Sequence, residues 1–334
     1  MRGPLTRRWR GAALLAALCV LGLGLLAGCG SGTTSNGTTT DSPTTTASTS
    51  TKSTLPGTGR PSLTLGDKNT TEQFILGELY DLALSAQGYS VTLYRNIGPP
   101  SVTYQALEQG NLNIYPEYLN VWDSQVVHDP RLFRSSADAY VTGQTWAADH
   151  QLELLSPTPG SDTNGIAVTT AFARANHLRT LADLSRLSTT LHLGAPVQFA
   201  QSSTGLPALE QAYGFLPATT PTVVIGDQYT ELQAGKIQAA YVQTTDAELS
   251  SSAFKVLGDP RHINGFGNIV PVVTTSTLAA EGPAFVETIN RVDNLLTTPV
   301  LRQLNADVDL LHQDASAVAK QFLIEHGLVA STAP

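Results

Sequence analysis

Tyr104-Gln-Ala-Leu107-Glu-Gln-Gly110-Asn-Leu112-Asn-Ile114 is matched in order and spacing by Tyr229-Thr-Glu-Leu232-Gln-Ala-Gly235-Lys-Ile237-Gln-Ala239. Each copy reads as the end of a helix, a glycine and the start of a strand. The first continues into Tyr115-Pro116-Glu117-Tyr118 and the second into Tyr241-Val242-Gln243-Thr244-Thr245-Asp246. Ligands of open α/β sheets bind beyond the carboxyl ends of strands. Two such ends, one in each of two lobes, would face each other across one cleft.

The same alternation extends outward from this pair. Leu63-Thr64-Leu65 reads as a short strand. After it, Thr70 with Gln73, or Asn69 with Glu72, is spaced to cap a helix. Phe74, Ile75, Leu79, Leu82 and Ala83 then recur at helical spacing, with Gly88 as the stop. Val91 and Leu93 begin a second strand, Val102 to Gln109 a second helix, and Leu112 to Tyr115 a third strand. Later strands are expected near Leu191 to Leu193, Val223 to Ile225 and Ile237 to Val242. This order predicts an α/β fold, and the roughly 270 residues after Arg60 suffice for two lobes.

The chain opens with Arg2, Arg7, Arg8 and Arg10, followed by an apolar run from Ala12 to Ala27. That run is too short to span a bilayer and reads as an export signal over residues 1–28. Leu26-Ala27-Gly28-Cys29 resembles the bacterial lipobox, in which acylation of the cysteine anchors the mature chain to the outer face of the cytoplasmic membrane. Residues 29–61 are rich in Ser, Thr and Gly, a composition that lacks the apolar surface to fold and predicts a disordered tether. The folded domain is expected over 62–334.

Removing the four leader arginines leaves 15 basic against 27 acidic residues, a formal charge of −12. Nucleic acid is excluded as a partner on that balance. Cys19 and Cys29 both fall in the leader region, so no disulfide framework is available. The folded part carries no Gly-x-Ser-x-Gly elbow, phosphate loop or dinucleotide fingerprint. Its histidines are scattered without His-x-x-x-His spacing. An enzyme, a bound metal and a cofactor are therefore not expected.

Leu65-Gly66-Asp67-Lys68-Asn69-Thr70-Thr71-Glu72-Gln73-Phe74-Ile75-Leu76-Gly77-Glu78-Leu79-Tyr80 resembles the opening of the osmoprotectant-binding lipoproteins of ABC importers, those for glycine betaine, choline and carnitine. Tyr115-Pro116-Glu117-Tyr118, Gly205-Leu206-Pro207, Tyr213-Gly214-Phe215, Thr244-Thr245-Asp246 and Leu304-Asn305-Ala306 extend the similarity along the chain. The resemblance implies a two-lobed periplasmic-binding-protein fold of type II with two crossovers between lobes. Lobe one would hold about 62–164 and 266–334, and lobe two about 165–265. Expected partners are a small quaternary ammonium ligand, the ABC permease subunits and the membrane through the lipid. A same-fold binding protein used for sensing another small solute is the alternative.

A quaternary ammonium has no N–H to donate, so aromatic faces hold it through cation–π attraction and methyl contact. The resemblance places Tyr118 and Tyr241 at cage positions and Lys68 at a polar contact. Asn164 stands where a cage tyrosine is usual, Ser202 where an arginine meets the ligand carboxylate, and Gly267 near the last cage tyrosine. Trp122 and Phe266 are the candidates to restore aromatic surface. Loss of the arginine fork tilts the choice from betaine toward choline or a less charged solute, an argument that Lys68 partly offsets.

Overall fold

A computed structural model describes residues 54–202 and 204–331. The leader, Cys29 and most of the tether lie outside them. Residues 54–61, assigned to the tether from composition, are instead attached to the folded body. The Gly57 N–H donates to the Gln87 carbonyl at 2.9 Å, and Arg60 Nη1 donates to the Ala280 carbonyl at 2.8 Å. Backbone hydrogen bonds need no apolar side chain, so composition does not register them.

Among the described residues, nine strands form two sheets. β1 (Leu63–Gly66), β2 (Val91–Tyr94), β3 (Ile114–Tyr118) and β4 (Leu152–Leu154) belong to the first. β5 (Asn164–Thr169), β6 (Leu193–Gly194), β7 (Ala239–Gln243) and β8 (Phe254–Val256) make the second. β9 (Ile269–Thr274) returns to the first sheet, whose order is β2-β1-β3-β9-β4, while the second runs β6-β7-β5-β8. β9 runs antiparallel to both of its neighbours, as expected of a strand re-entering a parallel sheet from another lobe. The chain thus crosses between sheets twice, through residues 155–163 and 257–268. The two crossings pair with each other at Ser161 and Asn268.

The helix α1 (Thr71–Ala86) starts as its sequence specifies: the Thr70 hydroxyl accepts from the Gln73 N–H. Ile75, Leu76, Leu79, Tyr80, Ala83 and Leu84 are buried on its inner face. They meet the helices Pro283–Asp293 and Ala315–Glu325, brought beside α1 by the return of the chain. This apolar burial is the main stabilising contribution to lobe one.

The internal repeat is matched by geometry. α2 (Pro100–Glu108) ends with Gly110 donating to the Leu107 carbonyl and Asn111 to Ala106. The helix Gln228–Gln233 ends with Gly235 donating to Leu232 and Lys236 to Glu231, at the same offsets. Gly110 and Gly235 have φ of 73° and 69°, the left-handed conformation that closes a helix in this way. Leu107 and Leu232 are both buried and fix the two helix ends on β3 and β7.

Two sequence expectations shift. The third strand is Ile114–Tyr118 rather than 112–115, and Leu112 fills the core instead. Val223 to Ile225 is not a strand; β6 is two residues long and this segment touches its continuation only at Ala195. Val224 and Ile225 remain 70% and 67% exposed.

Candidate functional site

A cavity of about 840 Å³ lies where the carboxyl ends of β3 and β7 approach each other. Lobe one contributes the start of α1, the end of β3 and the segment 120–133. Lobe two contributes Asn164 at the start of β5, Ile225 and Gly226, Gln243, and Thr245 to Glu248. Asp162, Asn264 and Phe266 enter from the two crossings, and Asn305 and Asp309 from the helix Thr298–Asp309. The volume lies within the usual range for small-molecule pockets.

At its centre the two lobes are joined by side chains. The Tyr118 hydroxyl donates to Glu72 Oε1 at 2.8 Å, and Asn305 Nδ2 donates to Glu72 Oε2 at 2.8 Å and to the Thr245 carbonyl at 2.9 Å. Glu72 and Asn305 are 6% and 5% exposed, and Asn305 Oδ1 has no partner. The Thr245 N–H donates to Asp162 Oδ1 at 3.3 Å. Asp246 Oδ2 accepts from the Tyr229 hydroxyl at 2.7 Å and the Gln243 N–H at 3.1 Å.

Among the described residues, the lining holds seven carboxyl side chains and one guanidinium, Arg131, which is itself bonded to Asp129. Burial raises Glu72 above the ordinary glutamate range. Burial also raises Asp162 and Asp246, and the neighbouring Glu72 charge pushes both further upward. Asp123 is pushed up to about 7, first by burial and then by the charge of Asp129. Its backbone belongs to a π-helical turn, Trp122–Val126, an irregularity frequent at binding sites. Among the described residues, no group of three or more His, Cys, Asp or Glu side chains is arranged to hold a metal ion.

Of the residues expected from sequence, Tyr118 and Asn164 line the cavity. Tyr241 lies behind Asn164: its hydroxyl donates to Asn164 Oδ1 at 2.9 Å, and its ring packs on Phe199 at a centroid distance of 4.7 Å. Lys68 is 7% exposed and off the lining, in an ion pair with Glu117. Its Nζ lies 5.1 Å from the Tyr118 ring centroid, so it supports that ring through cation–π attraction. Trp122 is fully buried among Tyr104 and Trp146, with its Nε1 donating to the Gly143 carbonyl at 3.3 Å. Ser202 bonds Thr204, and it is Thr204 that reaches the cavity.

Phe266 lines the cavity, as does Phe133, which the sequence reading did not single out. Gly267 has a structural reason to lack a side chain. A Cβ there would meet the Asp162 carbonyl oxygen at 1.6 Å, because the two crossings run against each other. Asp162 and Phe133 are brought to the cavity by tertiary contacts that no motif signals, whereas Asn305 lies in the Leu304-Asn305-Ala306 motif. The Thr245-Asp246 pair after β7 was signalled by the internal repeat.

These features define a two-lobed solute-binding protein with its ligand cleft between the lobes. A family model described as the substrate binding domain of ABC-type glycine betaine transport systems matches residues 61–325, and the chain belongs to that family. The glycine betaine-binding protein YehZ of Escherichia coli (strain K12) is 29% identical over 286 residues, covering 82% of this chain and 93% of that protein. An ergothioneine transport permease/ergothioneine binding protein of Helicobacter pylori (strain G27) is 24% identical over 268 residues; the match takes in 80% of this chain and 48% of that protein, so this chain spans about half its length. A crystal structure of a glycine betaine/carnitine/choline ABC transporter superposes with a TM-score of 0.75 at 23% identity, over 80% of this chain and 99% of that one, and shares its fold. These relatives carry transport names, and the sensing alternative finds no counterpart among them. No helix among the described residues is long and apolar enough to cross a membrane.

Proposed function

We propose that this protein captures a quaternary ammonium osmoprotectant between its lobes and presents it to the permease of an ABC importer, while a lipid on Cys29 holds it at the outer face of the cytoplasmic membrane. The observation that carries the ligand reading is Tyr118, an aromatic ring at the end of β3 facing a cavity rich in carboxyl groups and shared by both lobes. A trimethylammonium group offers no N–H, so it gains from aromatic surface and nearby negative charge rather than from directed hydrogen bonds. Phe133 and Phe266 add aromatic surface on the same lining. Tyr241 contributes from behind by fixing Asn164.

A small quaternary amine fills only part of an 840 Å³ cavity. Capture is therefore completed by closure about the two crossings, which the ligand favours by touching both lobes. The permease would read the closed form.

Thermal unfolding with choline, glycine betaine, carnitine and ergothioneine tests the ligand class, with proline and glucose as controls. A rise in Tm with one or more quaternary amines and none with the controls is expected. No shift with any of the four rejects the class. The anchor is tested separately by detergent-phase partitioning, where Cys29→Ala is expected to move the protein to the aqueous phase.

A further inference from the structure

Three carboxyl groups reach the centre of the cleft from separate parts of the chain. Glu72 comes from the first turn of α1, Asp162 from the first crossing and Asp246 from the segment after β7. Their hydrogen-bond donors are neutral: the Tyr118 hydroxyl and the Asn305 amide on Glu72, the Thr245 N–H on Asp162, and the Tyr229 hydroxyl and the Gln243 N–H on Asp246. Cations nearby are committed elsewhere. Arg302 gives its Nε to the Thr244 carbonyl at 2.8 Å and does not line the cavity, Arg131 is held by Asp129, and Lys68 is paired with Glu117.

Asn305 supplies an independent sign of a missing partner. It is 5% exposed and lines the cavity, and its Oδ1 is an acceptor with no donor. The centre of the cleft thus offers acceptors and negative charge. Among the described lining residues Arg131 is the one arginine or lysine, and its Nε and Nη2 are bonded to Asp129.

We infer that Glu72, Asp162 and Asp246 select the ligand by net charge, so that the cleft takes quaternary ammonium compounds with a net positive charge, of the choline type, and disfavours zwitterions such as glycine betaine. The inference rests on the quaternary ammonium reading above and narrows it. A zwitterion brings its carboxylate within a few ångströms of its ammonium in a small ligand. Placed beside Glu72, Asp162 and Asp246, that carboxylate loses its hydration next to like charges whose own hydrogen-bond donors are neutral.

The raised proton affinities of the three groups agree with this arrangement. Burial raises all three, and the Glu72 charge raises Asp162 and Asp246 further, so an incoming cation that offsets this repulsion favours their ionised forms. The other titratable or charged groups around them are Tyr118, Tyr229, Tyr241, Glu248, Asp309 and Arg302, with Asp123, Asp129 and Arg131 grouped on the lobe-one wall.

Isothermal calorimetry on the full chain at pH 7, with choline and glycine betaine in buffers of different ionisation enthalpy, tests the inference. Choline is expected to bind about a hundredfold more tightly than betaine and to release protons, and Asp162→Asn to reduce that preference about tenfold or more. Equal binding, or tighter binding of betaine, overturns charge selection and leaves the quaternary ammonium reading standing. Binding of neither overturns charge selection, and the quaternary ammonium reading falls with it only if carnitine and ergothioneine also fail to bind. The comparison of the two ligands needs no variant, so it decides the matter even if Asp162→Asn fails to fold.

Discussion

Tyr118 and Glu72 meet at 2.8 Å, the hydroxyl donating to the carboxylate, so that the end of β3 is fixed to the first turn of α1 inside the cleft. The ring is thereby oriented and the carboxylate loses one of its free acceptor positions. Replacing Tyr118 by alanine removes the ring and the donor together, and should weaken ligand binding about tenfold or more. Tyr118→Phe keeps the ring and should lose less. Calorimetry on both variants checks the order; a phenylalanine as harmful as the alanine would assign the effect to the hydroxyl rather than the ring.

Lys68 and Glu117 form a buried ion pair beneath Tyr118. Removing one partner leaves the other charged and unpaired, at a cost of about 3–5 kcal/mol. Lys68→Met and Glu117→Gln should each lower the denaturation midpoint in urea substantially. Lys68→Met with unchanged stability but abolished ligand binding would return Lys68 to the direct contact that the family resemblance implies.

Gly267 lies where the two crossings touch, with the Asp162 carbonyl 1.6 Å from the place a Cβ would take. Gly267→Ala must push the crossings apart, and should cost about 3 kcal/mol by thermal unfolding. Gly110→Ala is the control: its φ of 73° disfavours a side chain, but the space around it is open, so about 1 kcal/mol is expected.

Asp123 titrates at about 7, raised from the ordinary 3.8 first by burial and then by Asp129, against the opposing effect of Arg131. Between those two values the folded state holds a proton that the unfolded state has released. Stability contributed by this group is therefore present at low pH and lost as pH rises toward 7, with no further change above. Asp123→Asn removes the penalty, and should stabilise the protein by about 2 kcal/mol at pH 8 while changing little at pH 4. Urea titrations at the two pH values measure the difference.

The architecture was legible because its signals are local. The Thr70 cap, the apolar face of α1 and the two helix-glycine-strand phrases each depend on residues within a few positions of one another. They recur in the fold with matching hydrogen bonds at Gly110 and Gly235. The segment at Val223 to Ile225 misled because a β-branched run looks the same whether or not a strand lies alongside, and β6 is too short to pair with it. The site was legible only in part. Tyr118 could be placed from its motif, but Lys68 and Trp122 acquire their roles from Glu117 and Gly143, distant partners that spacing does not reveal. Asp162 and Asn305 reach Thr245 over 83 and 60 residues of sequence, so their convergence is made by the first crossing and the helix Thr298–Asp309 and is not visible in local spacing.

The central claim is that a quaternary ammonium ligand sits between the lobes against Tyr118. A crystal structure of the full chain grown with saturating choline tests it most directly. The ammonium should lie within about 6 Å of the Tyr118 ring centroid, with contacts from both lobes and the three central carboxyl groups around it. A cleft left empty at saturating choline, or choline bound elsewhere on the chain, would contradict the account.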